Sequence, residues 1–559
     1  MYKMKQLSPV GPNQIIFCLL FICILVYLLG WLIPLMEIDA AQYANISREM
    51  LGNKQYIQVY DLGKDYLDKP PMLFWLSALS MKIFGISDFS YRLPSYLFSI
   101  LAIYSTYQFS LLFYNKLIAW LSALVLASCQ AMFLITHDVK TDTMLMGWVI
   151  LSLWQLAAWF SMNRWKNLIL AAVAIAGGLM TKGPIALMVP VFAFAPHFIL
   201  KRNFSQLFRW QYLIILIILA ILLFPMSWGL YLQYDLHPEK MMYGQRGLSG
   251  LRFFYWTQSF GRITGESTWH ENDSFFFQFE NMLWGFLPWI LFFILGLMSE
   301  IRTIFHKKFI IENNEEWIST GGFLLTYSAL GMSKFQLPHY IYVVFPLAAI
   351  ITAKWLYKLL YTDSLKKWIR PLLVVHAMVF FLLWMILLLL LIVVFPSFHQ
   401  IPAILCSVSV LFLIYILLSK KQLLPRLLTL CVGTILIINI FLDTSFYPPL
   451  LEYQLSIPVS RFINLRHLPK DRIFLNQISE ERSLDFYCKS FFKRVDNPDS
   501  LQSGDFLVTS REGYKMLDST HFIKIYQGDY FHVSTLSLQF LNPASRGKET
   551  NMYFLLQKR

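Results

Sequence analysis

The chain has 559 residues, of which 57% are hydrophobic and only 14% charged, with a mean hydropathy of +0.52. Soluble domains run near a quarter charged, so the main solvent of this chain is lipid and a water-soluble enzyme is excluded. The net charge of +14 comes in short groups between apolar stretches, as membrane anchors do, and this distribution argues against nucleic acid as a partner.

In chain order, apolar windows of about 20 residues, the length that crosses a bilayer core, fall near 14–35, 91–113, 118–136, 143–161, 167–181, 184–200, 211–233, 280–299, 318–332, 338–360, 370–395, 401–418 and 426–445. They predict an α-helical polytopic membrane protein of about thirteen spans. Alternate connections carry Lys3/Lys5, Lys116, Arg164/Lys166, Lys201/Arg202/Arg209, Arg302/Lys307/Lys308, Lys354/Lys358/Lys366/Lys367/Arg370 and Lys420/Lys421/Arg426, and the Lys/Arg bias makes those cytoplasmic. The short opposite connections hold Lys140, Lys182 and Lys334. This places the amino terminus inside and the carboxyl-terminal region outside. No small-residue cleavage site follows the first span, so it reads as a helix that stays.

Two outer regions are long. Residues 36–90 mix amphipathic stretches with the Lys69-Pro70-Pro71 stop, and residues 235–277 set Gly244, Gly247, Gly250, Gly261 and Gly265 among aromatics; both read as interfacial helices and loops on the bilayer. From Phe446 the character changes. Pro448-Pro449 ends the last span, and short apolar runs such as Arg472–Leu475, Asp505–Val508 and Tyr553–Leu556 alternate with helical stretches. The expected organisation is a membrane domain over 1–445 and a small outer α/β domain over 446–559, about 110 residues and long enough for its own core.

Cys18, Cys23, Cys129, Cys406 and Cys431 lie in apolar spans and only Cys488 lies in the outer region, so packing explains them and no disulfide framework is implied. The string Gly177-Gly178…Thr181-Lys182-Gly183 joins two spans, not a strand and a helix, and is no phosphate-cradling nucleotide loop.

What remains is polar and lies on one face: Glu37, Asp39, Asp68, Lys69, Asp138, Asp142, Lys182, Arg262, Lys334 and Tyr340. Acids and bases converging at a membrane surface suit a reaction on a phosphorylated lipid, with cations on phosphate oxygens and a carboxylate orienting or deprotonating an acceptor. Each residue also has a plainer role. A Lys at a span end commonly anchors the helix; Asp39, Asp138 or Thr141 could cap one; and Asp138 and Asp142, spaced i, i+4, would share a helix face. Asp68, His237 and His270 are a conceivable metal set, but their scattered spacing argues for metal-independent chemistry.

Asp39…Tyr43-Ala44…Ile46-Ser47-Arg48-Glu49-Met50, Asp68-Lys69-Pro70-Pro71 with Trp75, Thr141-Asp142-Thr-Met-Leu145, Thr181-Lys182-Gly183-Pro184 and Lys334…Leu337-Pro338-His-Tyr340 together resemble the lipid A aminoarabinose transferases. These sit within the wider protein O-mannosyltransferase-like group of polyprenyl-phosphate-sugar-dependent membrane glycosyltransferases. The resemblance runs over essentially the whole chain, and five motifs in order carry it. It implies a GT-C fold in the bacterial inner membrane and transfer of a sugar, aminoarabinose-like or a hexose, from undecaprenyl phosphate to a periplasmic acceptor with inversion. The implied acceptor is lipid A phosphate, no cofactor is required, and the partners are the bilayer, the donor lipid and the envelope acceptor. Carried over by residue, Asp39 and Asp142 match the catalytic acidic positions, and Lys69, Arg262 and Tyr340 match residues near the carrier phosphate; Lys182 and Lys334 join them as donor-binding candidates, with Glu37, Asp68 and Asp138 behind. The chain departs from the pattern where the family's Asp-Glu pair is Asp39-Ala40 and a basic residue two places later is Gln42. The alternatives are a protein O-glycosyltransferase of the same group, a non-catalytic scaffold of envelope assembly and, from another class, a lipid or solute transporter. Charges gathered at one face, not along the midplane, weigh against a transporter.

Overall fold

The computed structural model describes residues 12–266, 273–312, 315–395, 423–478 and 481–559, with isolated positions between 396 and 422. After α1 (Pro12–Leu29) the chain turns into α2 (Asp39–Asn53) and α3 (Met72–Phe84). Between α2 and α3, β1 (Tyr60–Asp61) and β2 (Lys64–Asp65) form a small hairpin, its turn residues Leu62 and Gly63 both at positive φ, the geometry that tight hairpins require. Pro71 stands at the N-cap of α3 with φ −80°, where the missing N–H costs nothing. The long α4 (Asp88–Phe113) starts from a capping box in which Ser87 and Ser90 each satisfy the other's amide.

The next helices position the site. α5 (Lys116–Ala127) and α6 (Gln130–His137) make one path bent by 54°, and α7 (Thr141–Met162), α8 (Trp165–Lys182), α9 (Ile185–Leu200) and α10 (Tyr212–Leu230) follow. Small residues let these helices close up: a Cβ on Gly177 would stand 2.5 Å from the Trp148 ring, and one on Gly178 2.7 Å from Ala186. Close approach through glycine is how membrane helices gain contact where lipid supplies no hydrophobic drive. The Gly177-Gly178 string is therefore a packing seam, and Gly183, at φ +93°, ends α8 in a turn that presents Lys182 beside α7.

The expected spans and the observed helices agree in place more than in length. Among the described residues seven helices are long and apolar enough to cross a membrane, or eight with the bent pair counted as one. The expected segments at 167–181, 184–200 and 318–332 are helical too, in helices of 14 to 18 residues, whereas 280–299 is split into helices Phe277–Gly285 and Ile290–His306 by a turn containing Pro288. The expected span at 401–418 falls almost wholly outside the described residues, as do Cys406 and His270. Helix Ile369–Leu389 turns Val374, Met378, Phe381, Leu382, Met385 and Leu389 outward, a stripe at helical spacing that suits contact with lipid chains. Helix Phe345–Tyr361, by contrast, is buried on nearly every face.

In the outer region β5 (Ile473–Asn476), β6 (Lys493–Arg494), β7 (Phe506–Ser510), β8 (Phe522–Tyr530) and β9 (Asn551–Lys558) assemble in the order β6-β5-β7-β9-β8, numbered after the hairpin β3 (Met241–Met242) and β4 (Gln245–Arg246). β5 pairs in parallel with β6 and β7, and β9 antiparallel with β7 and β8. Central Leu507, Val508, Leu555 and Leu556 are fully buried, and helices Ser456–Leu465 and Arg482–Cys488 cover one face. This unit docks on α2 and the segments beside it: Phe486 joins Tyr43 and Met50 in one apolar cluster, and Asn45 donates to the Arg482 carbonyl. Arg482 pairs with Asp61 at 2.9 Å, and the Tyr487 hydroxyl accepts from the Leu35 amide at 2.7 Å.

Candidate functional site

Asp39 is the first residue of α2 and caps nothing: the N-cap is Ile38 and no side chain caps the helix. Its carboxylate instead receives the ammonium of Lys140, Nζ to Oδ2 2.9 Å. Lys140 precedes α7 and also stands 3.6 Å from Asp138 Oδ2. Asp138 ends α6 with φ −92° and ψ 86°, so the break before α7 puts Asp138 and Asp142 on different elements; the expected shared helix face does not form. Asp142, with its side chain 1% exposed, pairs with Lys182 and has His339 Nε2 at 3.5 Å. Two lysines thus serve three carboxylates: Asp39 and Asp138 share Lys140, and the fully buried Asp142 has Lys182, since a buried charge needs a partner.

The opposite wall is cationic and aromatic. Lys182 Nζ lies 3.8 Å from the centre of the Tyr340 ring, and Arg262 Nη1 donates to the Tyr340 hydroxyl at 2.6 Å. Lys69, held by Pro70-Pro71, pairs with Asp68 at 2.9 Å, and Gln258 Nε2 donates to the Asp68 carbonyl and to its carboxylate. Lys69, Lys182, Arg262, Tyr340, Gln258 and Ser333 share a cavity of about 100 Å³ with Leu145, Ile185, Met188 and Leu330. Among the described residues Arg262 has no carboxylate partner, and its Nε is buried without one. A cavity lined by three cations and by apolar side chains fits an amphiphile with an anionic head.

Burial alone would push the Asp39 carboxyl up, but Lys140, with Lys69 and His339 behind it, outweighs burial and holds it below the usual carboxylate range. Burial also opposes the charge on Lys140, and Asp138 and Asp39 overcome it, raising the ammonium above its ordinary value. Lys69 is raised in the same way by Asp68 against its burial. Asp138 moves the other way, because its burial outweighs Lys140. The result is an ionised Asp39, its side chain 39% exposed, whose charge is felt by Lys69 of the cavity wall.

Of the ten residues singled out in the sequence, Asp39, Asp68, Lys69, Asp138, Asp142, Lys182, Arg262 and Tyr340 come together. Lys334 is exposed, its amide donating to the Arg262 carbonyl and its Nζ beside Gly265, at the rim and not in the cavity. Glu37 faces the outer sheet, where its carboxylate accepts from the Ser483 amide and hydroxyl. His237 pairs with Glu239 at the surface. Among the described residues no three His, Cys, Asp or Glu converge as metal ligands would. Lys140 and His339 enter the site unannounced. Lys140 was visible only as a cation on the cation-poor face, two residues from Asp142, and His339 only as the residue between Pro338 and Tyr340.

A family model described as dolichyl-phosphate-mannose-protein mannosyltransferase matches residues 68–228. The undecaprenyl phosphate-α-4-amino-4-deoxy-L-arabinose arabinosyl transferase of Wigglesworthia glossinidia brevipalpis is 27% identical over 354 residues, 61% of this chain and 59% of that protein. A transferase of the same name from Proteus mirabilis is 26% identical over 341 residues, 59% and 58% of the two chains. The match therefore spans less than two thirds of either relative. In three dimensions the chain superposes on ArnT from Cupriavidus metallidurans in its apo state with a TM-score of 0.71 at 16% identity, covering 96% of this chain and 97% of that one. The same transferase bound to undecaprenyl phosphate gives 0.69. In sequence this chain is similar to the aminoarabinosyl transferases and, over residues 68–228, to the protein mannosyltransferase family model, and its fold is similar to that of ArnT.

Proposed function

We propose that the chain is a membrane glycosyltransferase that moves an aminoarabinose-like sugar from undecaprenyl phosphate to lipid A phosphate at the periplasmic face of the inner membrane. The observation that carries this reading is the cavity in which Lys69, Arg262 and Lys182 face apolar side chains next to the carboxylates of Asp39 and Asp142. The acceptor oxygen attacks the anomeric carbon, the bond to the carrier phosphate breaks, and its electron pair leaves with that phosphate, so the anomeric centre inverts. Lys69 and Arg262 would absorb the charge gathering on the leaving oxygen, which needs neither a strong acid nor a metal. Asp39 is held ionised by Lys140 and is therefore a weak base near neutral pH, which favours an acceptor that is already an anion. Its work is then orientation and charge balance.

The finer architecture belongs to the same proposal: about thirteen spans, basic connections inside, a membrane domain over 1–445 and a periplasmic domain over 446–559. A protein hydroxyl as acceptor is the second reading, favoured by the description of the family model that matches residues 68–228. Mass spectrometry of lipid A and of periplasmic glycoproteins, from cells with and without this chain, separates the two. An aminoarabinose-sized increment on lipid A that vanishes with the chain supports the first. A glycoprotein increment that vanishes instead overturns it.

A further inference from the structure

Among the described residues Lys140 is the cation of the site that lies within ion-pair distance of two carboxylates. Its ammonium stands 2.9 Å from Asp39 Oδ2 and 3.6 Å from Asp138 Oδ2, and its side chain is 17% exposed. It occupies the N-cap of α7 in extended conformation, φ −122° and ψ 154°, so the backbone that fixes it also fixes Asp142 two residues on. We propose that Lys140 is a positioning residue: braced by Asp138, it aims the Asp39 carboxylate into the cavity and ties the start of α2 to the start of α7. The proposal rests on the reading of Asp39 as a residue of the transfer site.

The physical case is one of alternatives. Asp39 makes no capping bond, so among the described residues its carboxylate has no hydrogen-bond partner besides Lys140, and without it is free to take other rotamers. The remaining charged or titratable groups that face it are Lys69 from the loop before α3, His339 from the turn before helix Phe345–Tyr361, Asp138, Tyr43 on its own helix, and Tyr66 and Tyr91. The tyrosines and Asp138 disfavour its charge, and Lys69 is engaged by Asp68. Among the described residues Lys140 alone supplies a charged hydrogen bond to Asp39, and charged hydrogen bonds fix direction as well as charge.

The test uses the full-length protein in detergent or nanodiscs, with undecaprenyl-phosphate-linked aminoarabinose and lipid A. Lys140→Met should lower kcat at least about tenfold, the scale of a lost charged hydrogen bond, with little change in the donor KM. The acid limb of its pH–rate profile should move to higher pH, because Asp39 then protonates more readily. Lys140→Arg should restore part of kcat and move the limb back. Asp138→Asn should lower kcat without raising the acid limb, since it removes a negative neighbour of Asp39. A general disturbance of the fold would move both limbs alike. In an Asp39→Asn background Lys140→Met should cost nothing further, the non-additivity of two groups that act as one.

An unchanged kcat and acid limb in Lys140→Met would overturn the proposal, as would a full additional loss in the Asp39→Asn background. Should Lys140→Met fail to fold, Lys140→Arg and Asp138→Asn carry the test: the inference then requires that Asp138→Asn leave the acid limb unraised. A parent protein that transfers no sugar to lipid A would instead count against the functional reading. The two failures are thus distinct.

Discussion

Lys69 enters the cavity from a backbone stiffened by Pro70 and Pro71, and its ammonium is held by Asp68 at 2.9 Å. A phosphate must share or displace that partner, and Gln258, which donates to both oxygens of Asp68 that are in reach, is placed to hold the released carboxylate. A charged hydrogen bond to phosphate is worth about 1.5–3 kcal/mol, or roughly ten- to a hundred-fold in donor affinity. Lys69→Ala should weaken use of the lipid-linked donor by that factor, and Lys69→Arg should recover part of it, since charge survives while geometry changes. Donor-dependence kinetics on purified variants are the check; an unchanged curve for Lys69→Ala would leave Lys69 as a partner of Asp68 only. Asp39→Asn keeps shape and removes charge, and product formation should fall at least about 10²-fold while carrier-lipid binding persists. If Asp39→Asn transfers sugar at the parent rate, the carboxylate has no part in the chemistry.

At the scale of elements, the contact between the outer sheet unit and the segment leading into α2 is held by carboxyls. Glu37 accepts from Ser483, Glu481 accepts from Ser456, and the Ser456 hydroxyl reaches both. Burial pushes both carboxyls up, and the negative charge of Glu37 adds to the rise at Glu481. Arg482 and Ser483 offset part of the rise at Glu37, Tyr530 and His532 line the pocket beside the two carboxyls, and Arg482 is itself engaged by Asp61. A folded-state value raised above the unfolded one means that the folded contact retains protons, so its stabilisation is complete at acid pH and fades as pH climbs through the raised range. Protection against hydrogen exchange in helix Arg482–Cys488, taken relative to the base-catalysed intrinsic rate, should therefore fall toward alkaline pH, and Glu481→Gln should flatten that dependence. Protection that is independent of pH in the parent would refute the shared-proton account. This contact was not legible in the sequence, because Glu37 and Ser483 are 446 residues apart and each taken alone looks like a surface residue. Gln42 is similar: it stands where the family carries a basic residue, and its amide donates to Asp61 at 2.8 Å, bracing the same contact and not the cavity. What could be read was local. Lys69-Pro70-Pro71 gave the turn before α3, the apolar runs of the tail gave β5, β7 and β9, and the restriction of acids and bases to one face gave eight members of the cluster. Pairings across the fold, such as Asp39 with Lys140, 101 residues apart, depend on the backbone path between α6 and α7; the apolar windows place that connection but not the direction in which it turns.

For the whole molecule, the distribution of charge fixes two ends. The cavity lies at the start of α9, where Ile185 lines it, and α9 runs 16 residues to Leu200, about 24 Å at 1.5 Å per residue. Lys201 therefore stands at the end opposite the site, near Arg209, whose guanidinium lies 4.1 Å from the Trp159 ring. A second polar network, Lys354 and Lys358 with Glu300 and Glu316, belongs to the basic connections assigned to that same inner side. Its charges balance, which is what allows it to sit partly buried beside the membrane, whereas the cations at the site end open onto a cavity. The ends are thus chemically distinct, and the Lys/Arg bias assigns the balanced basic end to the cytoplasm. In a variant lacking the six native cysteines, a cysteine at Lys201 should be shielded from an impermeant thiol reagent in intact cells, and one at Ser503, exposed beside β7, should label. Permeabilisation should expose Lys201→Cys and leave Ser503→Cys unchanged. Labelling of Lys201→Cys in intact cells, with Ser503→Cys silent until permeabilisation, would invert the molecule and put the cavity on the cytoplasmic face, where a periplasmic acceptor could not reach it.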